Sequence, residues 1–97
     1  MLHLISQSSI DLSLLSRIDS GDDVVFLENA VFCLNKGSLL SAELIVLLKN
    51  NVFLYVLSDE LNTRGVSVDE LVAGVEVIDY AGLVKLTEKN KLVKSWN

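Results

Sequence analysis

Val75-Glu76-Val77-Ile78-Asp79-Tyr80-Ala81-Gly82-Leu83-Val84-Lys85-Leu86-Thr87 changes its periodicity at Asp79. Val75, Val77 and Ile78 are β-branched and apolar and read as a short buried strand. Asp79 follows at once. Its carboxylate can accept from the free N–H groups of a helical first turn, which makes it a good N-cap. Tyr80, Leu83 and Val84 then fall on one helical face at i, i+3, i+4 spacing. A strand thus delivers a capped helix with almost no loop. The same unit recurs upstream, where residues 24–27 run into Glu28-Asn29 and residues 52–57 run into Ser58-Asp59. Repeated strand–cap–helix units predict an α/β fold: a parallel open sheet of about four to five strands with helices on both faces.

The rest of the chain fits that plan. Residues 1–5 are apolar apart from His3 and read as the first strand, followed by the polar turn Ser6-Gln7-Ser8-Ser9. Ile10, Leu14, Leu15 and Ile18 mark one helical face, with Ser9 or Asp11 as its cap. Ser20-Gly21-Asp22 ends that helix, Gly21 supplying the left-handed residue such ends favour. Asp23 leads into the second strand. Residues 28–34 read as a short helical segment or turn closing at Asn35-Lys36-Gly37, and Ser38 or Ser41 caps the next helix, which runs to about Lys49. Its residues 39–48 leave little polar face, so it needs cover on more than one side. A buried strand over 44–48 is the alternative, since periodicity alone does not settle five apolar residues; the serine cap and Lys49 at the C-terminal end favour helix. Residues 52–57, apolar throughout, read as the central strand. Asp59 caps a short helix that stops at Arg64-Gly65. Ser67-Val68-Asp69-Glu70 fits a capping box, opening a small helix that ends at Gly74. Residues 92–96 form a candidate last edge strand, kept polar by lysines. No linker, low-complexity segment or second domain interrupts residues 1–97.

Composition narrows the function. A chain of 97 residues with 51% hydrophobic side chains is rich in aliphatics for a small monomer, so some apolar surface is expected to face a partner. Its net charge of −5 argues against gripping a nucleic-acid backbone directly, which needs clustered Lys and Arg. The longest apolar run, residues 52–57, is too short to span a bilayer. Residues 1–5 have no basic segment typical of a signal peptide, so the expected location is cytoplasmic. One cysteine, Cys33, and one histidine, His3, exclude an intrachain disulfide and a Cys- or His-rich metal cluster. No cofactor is expected.

Ligands of an open parallel sheet sit beyond the carboxyl ends of its strands. That edge would carry Ser6–Ser9, Glu28-Asn29, Ser58-Asp59-Glu60 and Asp79-Tyr80. Its acids repel phosphate, and no glycine-rich phosphate loop or dinucleotide fingerprint occurs. Ser6 and Gln7 stand where a response receiver would need acids. Asp59 and Asp79 read as helix caps rather than as an acid/base pair, and His3 as a satisfied structural residue rather than a catalytic one. Tyr80 and Trp96 read as packing residues with a wet polar tip or as interface anchors. Arg64 answers the dipole of its short helix or forms an interface salt bridge. Cys33 is the one nucleophile of promise, just after a strand and near a helix start. Phe32 and Leu34 are apolar and Glu28 opposes a thiolate, so a small buried hydrophobe is the favoured reading.

Four stretches together resemble the TusB/DsrH family, the small subunits of bacterial sulfur-relay complexes. Met1-Leu2-His3 is similar to the family's opening, and Leu27-Glu28-Asn29-Ala30-Val31 to its second-strand exit. Leu54-Tyr55-Val56-Leu57-Ser58-Asp59-Glu60-Leu61, with Arg64-Gly65, resembles the third-strand motif. Val77-Ile78-Asp79-Tyr80, with Leu83-Val84, Leu86-Thr87 and Trp96, resembles the closing motif. The likeness implies the DsrE/F/H-type fold and a cytoplasmic complex with two related sister subunits, TusC/DsrF-like and TusD/DsrE-like. In the tRNA branch such a complex passes persulfide sulfur between carrier proteins toward 2-thiolation of the wobble uridine; in the Dsr branch it serves sulfur oxidation. The carrier cysteine belongs mainly to the larger sister subunit. Some DsrH members have their own cysteine in the first helix, where this chain has Leu14, Leu15 and Ser16. That departure favours the TusB-like branch and a non-catalytic subunit. A small sulfurtransferase using Cys33 as persulfide carrier is the enzyme alternative. Candidate subunit contacts are Leu44, Leu47, Leu48, Arg64, Asp79, Tyr80 and Trp96.

Overall fold

The computed structural model describes residues 1–97. Five strands, β1 (Leu2–Ile5), β2 (Asp23–Phe26), β3 (Phe53–Leu57), β4 (Glu76–Ile78) and β5 (Val93–Trp96), form one sheet. All neighbours are parallel and the order is β4-β3-β2-β1-β5. The helices are α1 (Leu12–Leu15), α2 (Ser41–Lys49), α3 (Ser58–Arg64) and α4 (Tyr80–Lys89). Two 3₁₀ segments, Glu28–Leu34 and Val68–Glu70, complete the connections.

The strand order dictates where the helices lie. From β1 to β4 the chain steps one way across the sheet, and right-handed crossovers place every connection on the same face. Leu14 and Leu15 of α1, Ala30, Val31 and Leu34 of the first 3₁₀ segment, Leu44 of α2 and Leu61 of α3 accordingly join Val24, Phe26, Leu54 and Val56 in one core. The connection from β4 to β5 runs back across the sheet, which puts α4 alone on the other face. There Leu86 packs with Leu2 and Val25, flanked by Leu4, Leu27 and Tyr55.

Several local expectations hold. Asp79 caps α4, its Oδ1 accepting from Gly82 N–H at 2.8 Å. Asp11, of the two residues considered, caps α1. Ser67 and Glu70 form a complete capping box, and Gly65 ends α3 in the left-handed region at φ 64°.

Other expectations are corrected. The central strand is β2, buried at all four positions, whereas β3 lies next to the edge and starts only at Phe53, which is exposed. β4 is an edge strand and only half-buried, so Val77 and Ile78 are not sealed on both sides. On α4 the buried residue is Leu86, with Leu83 beside it; Tyr80 and Val84 face outward. Residues 44–48 are helical, which removes the strand alternative, but neither serine caps α2. The Ser38 hydroxyl instead donates to the Cys33 carbonyl at 2.8 Å, and Ser41 is already inside the helix. Asp59 is likewise in the first turn of α3, whose N-cap is Leu57. The second 3₁₀ segment stops at Glu70, short of Gly74.

Candidate functional site

An open sheet of order β4-β3-β2-β1-β5 reverses direction between β1 and β5, which is where a ligand crevice is expected. The chain closes that point on itself. Ser6 N–H donates to the Trp96 carbonyl at 3.0 Å and Gln7 N–H to the same oxygen at 3.3 Å. The Ser6 hydroxyl lies 3.0 Å from Asn97 Oδ1.

The open space lies to one side, beyond the ends of β1 and β2. A cleft of about 460 Å³ runs between the Ser8–Ile10 loop and the first 3₁₀ segment. Its lining includes Ser9, Asn29, Phe32, Cys33 and Leu40. Cys33 is half-buried there and its thiol points at the Ser8 carbonyl, 3.6 Å away. Burial pushes the Cys33 thiol above its ordinary range, and no basic group offsets this. The thiol form is therefore favoured, which is poor preparation for a nucleophile. Burial, rather than the neighbouring Glu28, is the cause.

Glu28 has another role. It sits in the left-handed region at φ 52°, a conformation unusual for a residue other than glycine. Its backbone N–H donates to Glu60 Oε2 at 2.8 Å. The same oxygen accepts from Arg64 Nη1 at 2.6 Å. Glu60 thus ties the β2 exit to α3, and Arg64 forms an i, i+4 pair within its own helix.

The proposed contact residues divide by exposure. Leu44 is wholly buried in the core beneath α2 and has no surface for a partner; helical phase turns it inward while Ile45 and Val46 face out. Leu47 and Leu48 are half-buried against that core. Tyr80 and Asp79 are exposed at the end of β4. Trp96 does not keep a wet tip: its indole N–H points inward, to His3 Nδ1 at 3.2 Å.

The strongest polar constellation lies at the opposite, amino edge of the sheet; His3 is the satisfied structural residue expected from the sequence, but its partners there escaped that reading. His3 is 1% exposed, and its Nε2 lies 2.9 Å from Asp22 Oδ2. Asp22 also accepts from Asp19 N–H at 2.9 Å and pairs with the Met1 amino group at 3.1 Å. Burial works against its negative charge, but the Asp19 N–H, His3 and the Met1 ammonium outweigh it and hold the carboxyl below its usual range. Asp23 points to the other face and is 0% exposed. Its Oδ2 meets Lys89 Nζ at 3.1 Å and Asn90 Nδ2 at 3.0 Å, and Tyr55 donates to Oδ1 at 3.4 Å. Adjacent acids after a glycine look like a surface turn. Only the pairing of His3 with a buried position would have signalled otherwise.

This second cluster has a measurable consequence. Burial and the negative charges of Asp23 and Glu76 push the Tyr55 hydroxyl up to about 12. An ultraviolet titration of the folded chain should leave Tyr55 protonated through pH 10, where an unperturbed tyrosine is half ionised. Tyr55→Phe should remove one high-pH step. Ionisation of Tyr55 near pH 10 in the native state would contradict the buried contact.

Neither constellation forms a metal site: no group of three or more His, Cys, Asp or Glu side chains converges. No helix is long and apolar enough to cross a membrane.

The geometry can be set beside known proteins. The family model described as DsrH like protein matches residues 6–93. The chain belongs to the TusB/DsrH family. Protein TusB of Serratia proteamaculans is 36% identical over 99 residues, covering 99% of this chain and all of that protein. Protein TusB of Buchnera aphidicola from Baizongia pistaciae is 32% identical over 109 residues, with the same coverage. Among solved structures, MTH1491 of Methanobacterium thermoautotrophicum, a protein of unknown function, superposes with a TM-score of 0.82 at 21% identity. It covers 97% of this chain and 96% of its own. The ychN protein from E. coli gives 0.80 at 16% identity, covering 98% and 97%. At those identities the two structures speak to the fold alone, and they agree with the parallel α/β sheet of this TusB/DsrH member.

Proposed function

We propose that this chain is a non-catalytic subunit of a cytoplasmic sulfur-relay complex that passes persulfide sulfur toward 2-thiolation of the tRNA wobble uridine. The observation that carries the reading is full-length similarity to several proteins named TusB. The state of Cys33 supports the non-catalytic role: its thiol is half-buried, donates to a carbonyl and is held protonated by burial. In this reading the chain shapes the assembly, and two related sister subunits dock the sulfur carriers. The exposed Tyr80 and Asp79, the outward Ile45 and Val46 of α2, and the half-buried Leu47, Leu48 and Trp96 are its contact surfaces.

The cleft beside Cys33 favours a second reading, a small sulfurtransferase with Cys33 as persulfide carrier. Replacing Cys33 by Ser separates the two. As a structural subunit, the Cys33→Ser chain supports wild-type levels of 2-thiouridine in tRNA from a strain lacking the native copy. As a carrier, it supports none. Native mass spectrometry of the complex purified from its own cells tests the assembly directly. Three different subunits in equal copies support the proposal. A monomer or pure homo-oligomer, recovered while sister proteins are present, overturns it.

A further inference from the structure

The buried histidine has no place in the relay reading, yet its surroundings are unusually restrictive. An indole N–H can donate but cannot accept. Trp96 Nε1, 3.2 Å from His3 Nδ1, therefore requires a lone pair on Nδ1. The imidazole proton must then be on Nε2, donating to Asp22 Oδ2 at 2.9 Å. Both ring nitrogens are satisfied only by the neutral ring. A second proton can enter only at Nδ1, where it would face the indole N–H with no acceptor between them. The proton and Trp96 compete for one lone pair.

Trp96 is also the anchor of β5. That strand has a single ladder partner, β1, and forms one edge of the sheet. Val93, Lys94 and Ser95 are exposed, so among the four strand residues only Trp96 is packed into the core. The groups facing this site come from every element around it. Asp22, from the loop before β2, attracts a proton on His3. The Met1 amino group, 3.1 Å from Asp22, partly cancels that attraction. Arg17, beyond α1, lies 5.7 Å from the Trp96 ring, and Lys94 of β5 lies 5.0 Å from it. The imidazole and indole planes are within 19° of each other with centroids 6.3 Å apart, the edge-to-edge arrangement that an in-plane N–H to lone-pair bond requires. An imidazolium would add a third cation beside that ring.

We propose that His3 is a proton-operated latch on the C-terminal strand: neutral His3 holds Trp96 and docks β5, and a second proton on His3 releases Trp96 and loosens β5 from β1. Histidine is the side chain suited to this between about pH 5 and 8, and local opening of an edge strand can precede global unfolding.

The test is nitrogen-15 NMR of the full chain from about pH 8 to pH 5, which reads the tautomer of its sole histidine. Hydrogen exchange is followed on β5 and β2 amides in parallel. The proposal expects the Nε2–H tautomer at high pH and an indole resonance that moves as His3 takes up its proton. Over the same range, protection of β5 amides should fall roughly tenfold relative to β2. Trp96→Phe keeps an aromatic ring and deletes the N–H that binds Nδ1, so β5 protection should no longer respond to pH. His3→Asn keeps an acceptor with no proton to gain, and β5 protection should lose its pH dependence. An Nδ1–H tautomer at high pH overturns the latch. So does His3 protonation that leaves the indole and β5 exchange unmoved, a readout that needs no variant to fold.

Discussion

Leu44→Ala lowers the stability of the isolated chain by about 2–5 kcal/mol, the range for truncating a buried leucine to alanine. Leu44 is 0% exposed and is the one fully buried residue of α2. It fills space above β3 together with Leu54, Val56 and Val72 in the large core. The lost methyl groups forfeit their transfer free energy, and the surrounding strands cannot collapse fully into the void. Urea denaturation of both chains checks the magnitude. Val46→Ala, on the outward face of the same helix, is the control and should stay within about 0.5 kcal/mol, as surface substitutions usually do. A Leu44→Ala chain as stable as wild type would mean that Leu44 is not in the core. The contrast also separates two meanings of an apolar helix: Leu44 belongs to the monomer, whereas Ile45 and Val46 are available to a partner.

Asp22→Ala should cost about 3 kcal/mol at neutral pH, because it strands several donors at once. The Asp19 N–H, His3 Nε2 and the Met1 amino group all lose their acceptor. The pH dependence has a definite sign. The folded Asp22 carboxyl lies below its ordinary value of 3.8, so the native state binds that proton less readily than the unfolded state. The resulting stability is fully present above the unfolded value and is lost as pH falls through the folded one. Thermal unfolding of the wild type should weaken below about pH 4, and Asp22→Asn should lack that part of the decline. An equal acid sensitivity in wild type and variant would show that Asp22 carries no such linkage.

The two predictions mark different kinds of legibility. Part of the capping was readable because its chemistry is local, while the caps expected at Ser38 or Ser41 and at Asp59 did not form. Asp79 and its Gly82 N–H are three residues apart, the Ser67–Glu70 box is equally compact, and Gly65 answers to its own φ. The parallel sheet was readable because strand and helix periodicities alternate along the chain. The candidate cleft was half readable: Ser8, Ser9 and Asn29 at the strand ends line it, but the acids expected there do not, and the crevice at the β1–β5 reversal is closed by the Trp96 carbonyl and Asn97. That contact spans almost the whole chain, beyond any local pattern.

By itself, the sequence determined the α/β class, the alternation of elements, the caps at Asp79 and Ser67, and the TusB/DsrH family. The caps rest on interactions within a few residues, the fold class on a unit repeated along the chain, and the family on four stretches taken together. The tertiary structure alone decided that β2 rather than β3 is central, that Leu44 turns inward while Tyr80 and Val84 face out, and that Asp22 and Asp23 are buried. Their partners, His3, Lys89 and Asn90, come from distant elements. A carboxylate is tolerated in a core only when such partners arrive, and their arrival depends on the strand order, which local periodicity does not encode.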